Sequence, residues 1–328
     1  PGAVSSWVAL SEKFGKLPFA DLMEPAVEVA ERGYAVPVVI QQKWVAASQV
    51  ADIVKQPGFA EVFLPRGRAP HVGEQHRMPG AAKALRAIGA TKGAAFYGGE
   101  IAEALARAAA EQGGAATVAD FAAYKPEWVE PLGQAYRGHT LHEIPPNGQG
   151  IAALITLGIL ENFDIAGLKV DSAESQHLQI EAMKLAFADV YRYVAERGCM
   201  EVTTEQMLDP AYLKSRAALI DPNKAQDFGA GNPVKGGTIY LTAADASGMM
   251  VSFIQSNYMG FGSGVVLPEY GVSLQNRGHG FNLQAGSANV VAPGKRPFHT
   301  IIPAFLTKDG QPVMSYGVMG ANMQPQGH

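Results

Sequence analysis

Gly236-Gly237-Thr238-Ile239-Tyr240-Leu241 is the segment whose residue types speak most directly of chemistry. A threonine hydroxyl attacks an amide only when a base takes its proton, and a free α-amino group on the same residue can be that base. Making that amine requires cutting the peptide bond ahead of Thr238. The two glycines there have no Cβ to block the hydroxyl or to resist a strained carbonyl geometry. The ordinary alternative is a glycine turn feeding a β-strand that begins on a β-branched residue, and local sequence alone favours it.

Other segments carry weaker chemical signals. Gly148-Gln149-Gly150 is half of a dinucleotide fingerprint, whose backbone N–H groups would face phosphate. Pro145-Pro146 is a poor end to a central strand and no ribose-binding acid is evident, so a helix-entry loop is the better reading. His139, His142 and Glu143 lack the i, i+4 spacing of a helical metal pair and read as surface or strand residues; His71 and His76 read as loop histidines. Gly262-Ser263-Gly264 fails the Gly-x-Ser-x-Gly elbow, because Phe261 and Val265 occupy the outer places, and reads as a flexible glycine loop.

The elements that must position these residues change along the chain. The first third reads as helices: Asp21 to Arg32, Val36 to Ile53, and the Ala-rich Ile101 to Glu111 closed by Gly113-Gly114, with Thr117 to Tyr124 as one capped turn. Pro131 to Ile144 is strand-like, and Ile151 to Glu161 is helical. Ser172 to Arg197 is the longest helix candidate, with Leu178, Met183, Leu185, Ala186 and Tyr193 inward and Glu181, Lys184 and Asp189 toward water. Thr238 to Ala243, Met249 to Gln255, Thr300 to Leu306 and Val313 to Val318 read as strands, the last two joined by an Asp309-Gly310 turn. No helix is expected after Gly320. Helices first and strands later point to an α+β layered fold.

Composition bounds the partners. The charge of −4 comes without a Lys/Arg block, which argues against nucleic acid. Apolar stretches are too short and interrupted to span a bilayer, so no membrane partner is expected. Cys199 is the only cysteine, which excludes an internal disulfide framework and a cysteine-built zinc site. Neither it nor the first residues fix a compartment.

Several segments together resemble the gamma-glutamyltransferase family in its acylase-like branch. They are Pro1-Gly2-Ala3-Val4 with Trp7, Lys16-Leu17-Pro18-Phe19-Ala20-Asp21-Leu22, Ile144-Pro145-Pro146-Asn147-Gly148-Gln149-Gly150, and His177 to Asp189. Gly236-Gly237-Thr238, Ser273-Leu274-Gln275-Asn276-Arg277, Pro293-Gly294-Lys295-Arg296-Pro297 and Gly317-Val318-Met319-Gly320 follow in family order. The resemblance implies the four-layer αββα sandwich of N-terminal-nucleophile hydrolases as one structural domain. It also implies a chain truncated at both ends, without the segment that bears a carboxylate-gripping arginine.

By that resemblance, self-cleavage falls between Gly237 and Thr238. It divides a large-subunit part (1–237) from a small-subunit part (238–328) of one precursor and leaves a homo-oligomer open. Thr238 then attacks a gamma-glutamyl or related amide and forms an acyl-enzyme, which water or an amine resolves. Gly320-Ala321 matches the oxyanion-hole pair. In the substrate pocket, His299 and Thr300 stand where family transferases carry two serines, Arg277 stands for a glutamine, and Ser256-Asn257 lies near an asparagine. Gly280, beside His279, takes the place of the aspartate that holds the substrate ammonium. A lost acid and a gained Arg277 favour an acyl group that carries a carboxylate and no amine, such as a glutaryl chain. The mechanism calls for neither a metal nor an organic cofactor. Two other readings are a cephalosporin-acylase-like amidase with the same machinery and a catalytically silent or truncated family member. A nucleotide-binding enzyme built on the Gly148 loop is a third.

Overall fold

A computed structural model describes residues 2–228 and 237–328. Pro1 and Gly236, which carry part of two of the motifs above, lie outside the described residues. The chain forms two compact units, residues 1–128 with 260–275 and residues 129–259 with 276–328. These boundaries do not follow the 237/238 division.

The first unit is helical. Its main helices are α1 (Gly2–Phe14), α2 (Glu24–Arg32), α3 (Val38–Ser48), α4 (Pro79–Thr91) and α5 (Glu100–Glu111). Sequence periodicity did not single out α1. The run predicted from Val36 to Ile53 is broken after Ser48 and resumes for one turn at Ala51–Val54. Thr117 closes a capping box with Asp120, as expected for a short capped turn. Ile88, Ile101, Leu105, Leu267 and Tyr270 share one core, and Trp44, Phe59 and Phe63 share another. His76 is not a surface histidine: it is buried, and its ring meets Trp44 edge-on. The Gly262-Ser263-Gly264 loop is tied down, with the Ser263 N–H and hydroxyl both donating to the Leu274 carbonyl. A Cβ at Gly262 would lie 2.3 Å from that oxygen, so the glycine permits close approach rather than looseness.

The second unit is mixed α and β. Strands β1 (Leu132–Tyr136) and β2 (His139–Glu143) form a hairpin where the sequence read as one extended stretch, because Arg137 and Gly138 both take positive φ and turn the chain. The main helices that follow are α6 (Ile151–Leu160), α7 (Ala173–Tyr193) and α8 (Pro210–Ala217). Then come β3 (Gly237–Ala244), β4 (Met250–Tyr258), β5 (Ala304–Lys308) and β6 (Gln311–Tyr316). The order β6-β5-β2-β1 makes an antiparallel sheet, and β3-β4 is a separate hairpin. Asp309 and Gly310 supply the β5-β6 turn with positive φ at both positions.

α6 explains the core. Nearly every one of its residues is buried. Ala153 and Leu154 pack on Leu141 and Ala304 of the sheet, while Ile151, Ile155 and Ile159 pack on Leu178, Ala182 and Leu185 of α7. Each such aliphatic side chain contributes about 1.5–3 kcal/mol. Two residues of α7 correct the expectation from periodicity. Glu181 and Asp189 are buried, because Glu181 pairs with Lys184 at 2.7 Å and accepts the Gln226 N–H, while Asp189 accepts the Tyr212 hydroxyl and Arg216. Beyond β6 the chain forms a 3-10 turn at Ala321–Met323 and a helical turn at Gln324–Gly327, where no helix was expected. The α+β class holds. A complete four-layer sandwich is not evident among the described residues.

Candidate active site

Thr238 and its neighbours all belong to the second unit. The β3-β4 register steps from Gly237 opposite Tyr258 to Thr238 opposite Ser256, which leaves Asn257 as the extra residue of a bulge. Tyr258 takes φ 77° at that bend. The half-buried Thr238 places Oγ1 3.1 Å from Ser256 Oγ, and Ser256 Oγ accepts the Tyr258 N–H at 2.9 Å. The bulge thus puts two hydroxyls side by side with a backbone donor behind them. Asn257 contributes its carbonyl to the Asn276 N–H.

The contacts continue from Tyr258. The Arg277 guanidinium lies 4.5 Å from the Tyr258 ring centre, a cation–π distance, and Nη1 donates to Thr300 Oγ1 at 2.8 Å. Burial lowers the Arg277 pKa to about 10, against the opposing pull of Tyr258, so the side chain is still a cation at neutral pH. Beside Thr300, His299 is pinned at its backbone: its N–H donates to Asn147 and its carbonyl accepts from Gln149. Burial and then the Arg277 charge push its imidazole to about 3. Part of His299 still reaches solvent, and the geometry gives independent support: the Ile301 N–H donates to Nδ1 at 3.3 Å, which requires that nitrogen to be unprotonated.

The Gly320-Ala321 step has an uncommon backbone conformation. Gly320 has φ 153° and the buried Ala321 has φ 52°. For alanine this left-handed conformation costs about 1–2 kcal/mol. The buried side-chain amide of Gln149 donates from Nε2 to the carbonyls of both Thr300 and Ala321, each at 2.8 Å. The end of β6 and the residue after it touch β3. Thr242 hydrogen-bonds Ser315, and the Tyr240 ring abuts Gly317.

Gly280 backs onto Phe298, where a Cβ would lie 2.5 Å from the carbonyl oxygen. An aspartate cannot occupy that place unless the 297–298 backbone moves. His279 stands 6.0 Å from Tyr258, ring to ring. Among the described residues no three His, Cys, Asp or Glu side chains cluster as metal ligands, and no helix is long and apolar enough to cross a membrane. Two surface concavities of about 480 and 440 Å³ lie in the first unit and include none of these residues.

The match to known proteins covers the whole length: residues 1–328 fit gamma-glutamyltranspeptidase. This chain belongs to the gamma-glutamyltranspeptidase family. Among curated members it is 36% identical over 330 residues to the glutathione hydrolase-like YwrD proenzyme of Bacillus subtilis, covering 99% of this chain and 61% of that protein. It is 38% identical to the oxamate amidohydrolase proenzyme of Klebsiella pneumoniae, over 99% of this chain and 62% of that one. The crystal structure of cephalosporin acylase from Bacillus halodurans superposes with a TM-score of 0.91 at 44% identity, over 100% of this chain and 61% of that one. The chain therefore spans about three-fifths of the length of these family members.

Two residues of this region escaped sequence reasoning. Gln149 belongs to the Ile144–Gly150 segment but had no role of its own; the signal was a polar residue at the mouth of an otherwise apolar helix. Tyr258, which stacks on Arg277, follows the bulge, and a bulge leaves little trace in strand periodicity.

Proposed function

We propose that this family member is a self-processing amide hydrolase or acyltransferase with Thr238 as nucleophile. The observation that carries it is the Thr238–Ser256 hydroxyl pair at the β3-β4 bulge, linked through Tyr258, Arg277, Thr300 and Gln149 to the strained Ala321. In processing, Thr238 Oγ attacks the Gly237 carbonyl, the C–N bond breaks, and the ester that forms is hydrolysed by water. This frees the Thr238 amine and divides the chain into 1–237 and 238–328. In turnover that amine takes the hydroxyl proton while Oγ attacks the substrate carbonyl. The Gly320 and Ala321 N–H groups stabilise the oxyanion, the leaving amine takes the proton, and water or a second amine releases the acyl group. The sheet and the β3-β4 hairpin serve as inner layers of the four-layer αββα sandwich.

The acyl group in this reading carries a carboxylate and no ammonium. Gly280 offers no counter-charge and no room for one, and Arg277 brings a buried cation next to Thr300. The names of the oxamate amidohydrolase and cephalosporin acylase relatives agree with amide substrates beyond glutathione. Hydrolysis of gamma-glutamyl and glutaryl anilides by the full-length protein separates the two choices, and a strong gamma-glutamyl preference rejects the carboxylate-only acyl group. For the nucleophile, mass spectrometry of the full-length protein is expected to show two fragments split at Gly237/Thr238. Thr238→Ala should stay intact and lose at least about 10³-fold in activity. Cleavage at the same bond in that variant would falsify the assignment.

A further inference from the structure

We infer that Gln149 is a positioning residue that sets the oxyanion donors through the Ala321 carbonyl, an inference that rests on the proposed nucleophile and oxyanion pair. Both oxygens that face its side chain are carbonyls, so the amide nitrogen must point at them and can satisfy both at once. The side chain is fully buried, which strengthens both bonds and fixes its rotamer. One bond holds the segment of Thr300, whose hydroxyl accepts from Arg277 in the substrate pocket. The other holds Ala321 in a left-handed conformation that alanine does not adopt by preference. Strained backbone persists only where its surroundings over-determine it. A second tie acts in parallel: Gln324 Oε1 accepts the Ile302 N–H at 3.2 Å, so the turn that follows Ala321 is also anchored to the segment between Thr300 and β5. Gln149 thereby fixes the separation between the pocket that grips the acyl group and the amides that meet its oxyanion. Without that anchor on its carbonyl Ala321 could leave φ 52°, which would turn its N–H without altering Thr238 or Arg277.

The test uses the full-length protein with glutaryl and gamma-glutamyl anilides. Gln149→Met keeps length and flexibility but removes both donors. It is expected to lower kcat about 10- to 100-fold with KM within about threefold, a smaller loss than outright removal of an oxyanion donor, and to lower the thermal midpoint while the native fold is kept, because two buried carbonyls lose their donor. Gln149→Glu gives a kinetic signature that a packing role would not. Its carboxyl can donate one bond while protonated, and repels both carbonyls once ionised. Its kcat should fall with rising pH along an alkaline limb that the wild type lacks. Unchanged kcat in Gln149→Met, a loss confined to KM, or a Gln149→Glu profile parallel to the wild type overturns the inference. So does loss of the native fold in both variants, which would make the residue a core support only. Thr238→Ala separates the two levels: an active Thr238→Ala protein rejects the nucleophile, whereas an inactive one with normal Gln149 variants rejects only the positioning role.

Discussion

The two units put their polar groups in opposite places. Among the described residues His76 is the one buried polar side chain of the first unit, whose charges meet at the surface as Glu31–Arg86, Lys83–Glu269 and Glu74 with Arg66 and Arg68. The second unit buries Glu143, Gln149, Glu181, Asp189, Arg277, Thr300, Asn322 and Gln324. A buried polar group costs free energy unless it is matched, so a fold keeps many of them only where they specify geometry. The difference teaches where to look for chemistry: in the unit that accepts the cost. Thr238 and every residue linked to it lie in that unit, so the proposed site falls where the cost is borne.

Arg277→Met is the severest way to sharpen this contrast after Thr238→Ala. In the proposed function Arg277 grips the acyl carboxylate, and removing it forfeits a charge-assisted bond of about 1.5–3 kcal/mol, or roughly 10- to 150-fold. The loss should fall on KM for the glutaryl anilide and leave the gamma-glutamyl substrate less affected. Equal losses for both would mean that Arg277 supports Tyr258 and Thr300 and does not read the acyl group.

Glu143→Gln tests the buried side of the contrast through stability. Burial pushes the Glu143 carboxyl up to about 7, against the pull of His328 at 2.6 Å. The folded protein therefore holds a proton that the unfolded chain, at the ordinary value near 4.5, has released. This contribution is fully present below pH 4.5 and is lost as pH rises through about 7. The wild-type thermal midpoint should decline between those values, and Glu143→Gln should flatten the decline. Parallel slopes in the two proteins would show that the carboxyl does not control it.

The sequence showed what depends on local pattern and little of what depends on packing. Helix α6, the hairpin turn at Asp309-Gly310 and strand β3 follow from apolar runs and turn chemistry. The β1-β2 hairpin did not, because Arg137-Gly138 lacks the usual Asn-Gly or Asp-Gly signature. Glu181 and Asp189 were placed outward because periodicity sees polarity and not partners; Lys184, Tyr212 and Arg216 draw them in. The proposed roles of Thr238 and Gly320-Ala321 rest on resemblance, with only Thr238 also suggested by its own chemistry after two glycines. The part of Gln149 became visible only once two carbonyls, 151 and 172 residues away in sequence, met its side chain.

Glu74→Gln probes the surface side and carries the smallest expected effect. The Glu74 carboxylate is held down at about 2, first by the His71 N–H, then by Arg68, with Arg66 adding charge. Its contribution is present above the ordinary carboxylate range and is lost as pH falls through about 2, the reverse of Glu143. At neutral pH the arginine pairs sit at the surface, where salt screens them. The His71 hydrogen bond is local and is not screened in the same way. Glu74→Gln should therefore shift the denaturant midpoint slightly at low salt and less at high salt, with the remainder reporting the loop bond alone. A shift larger than that of Glu143→Gln, or one indifferent to salt, would mean that the first unit also depends on a specified charge, and the contrast between the units would fail.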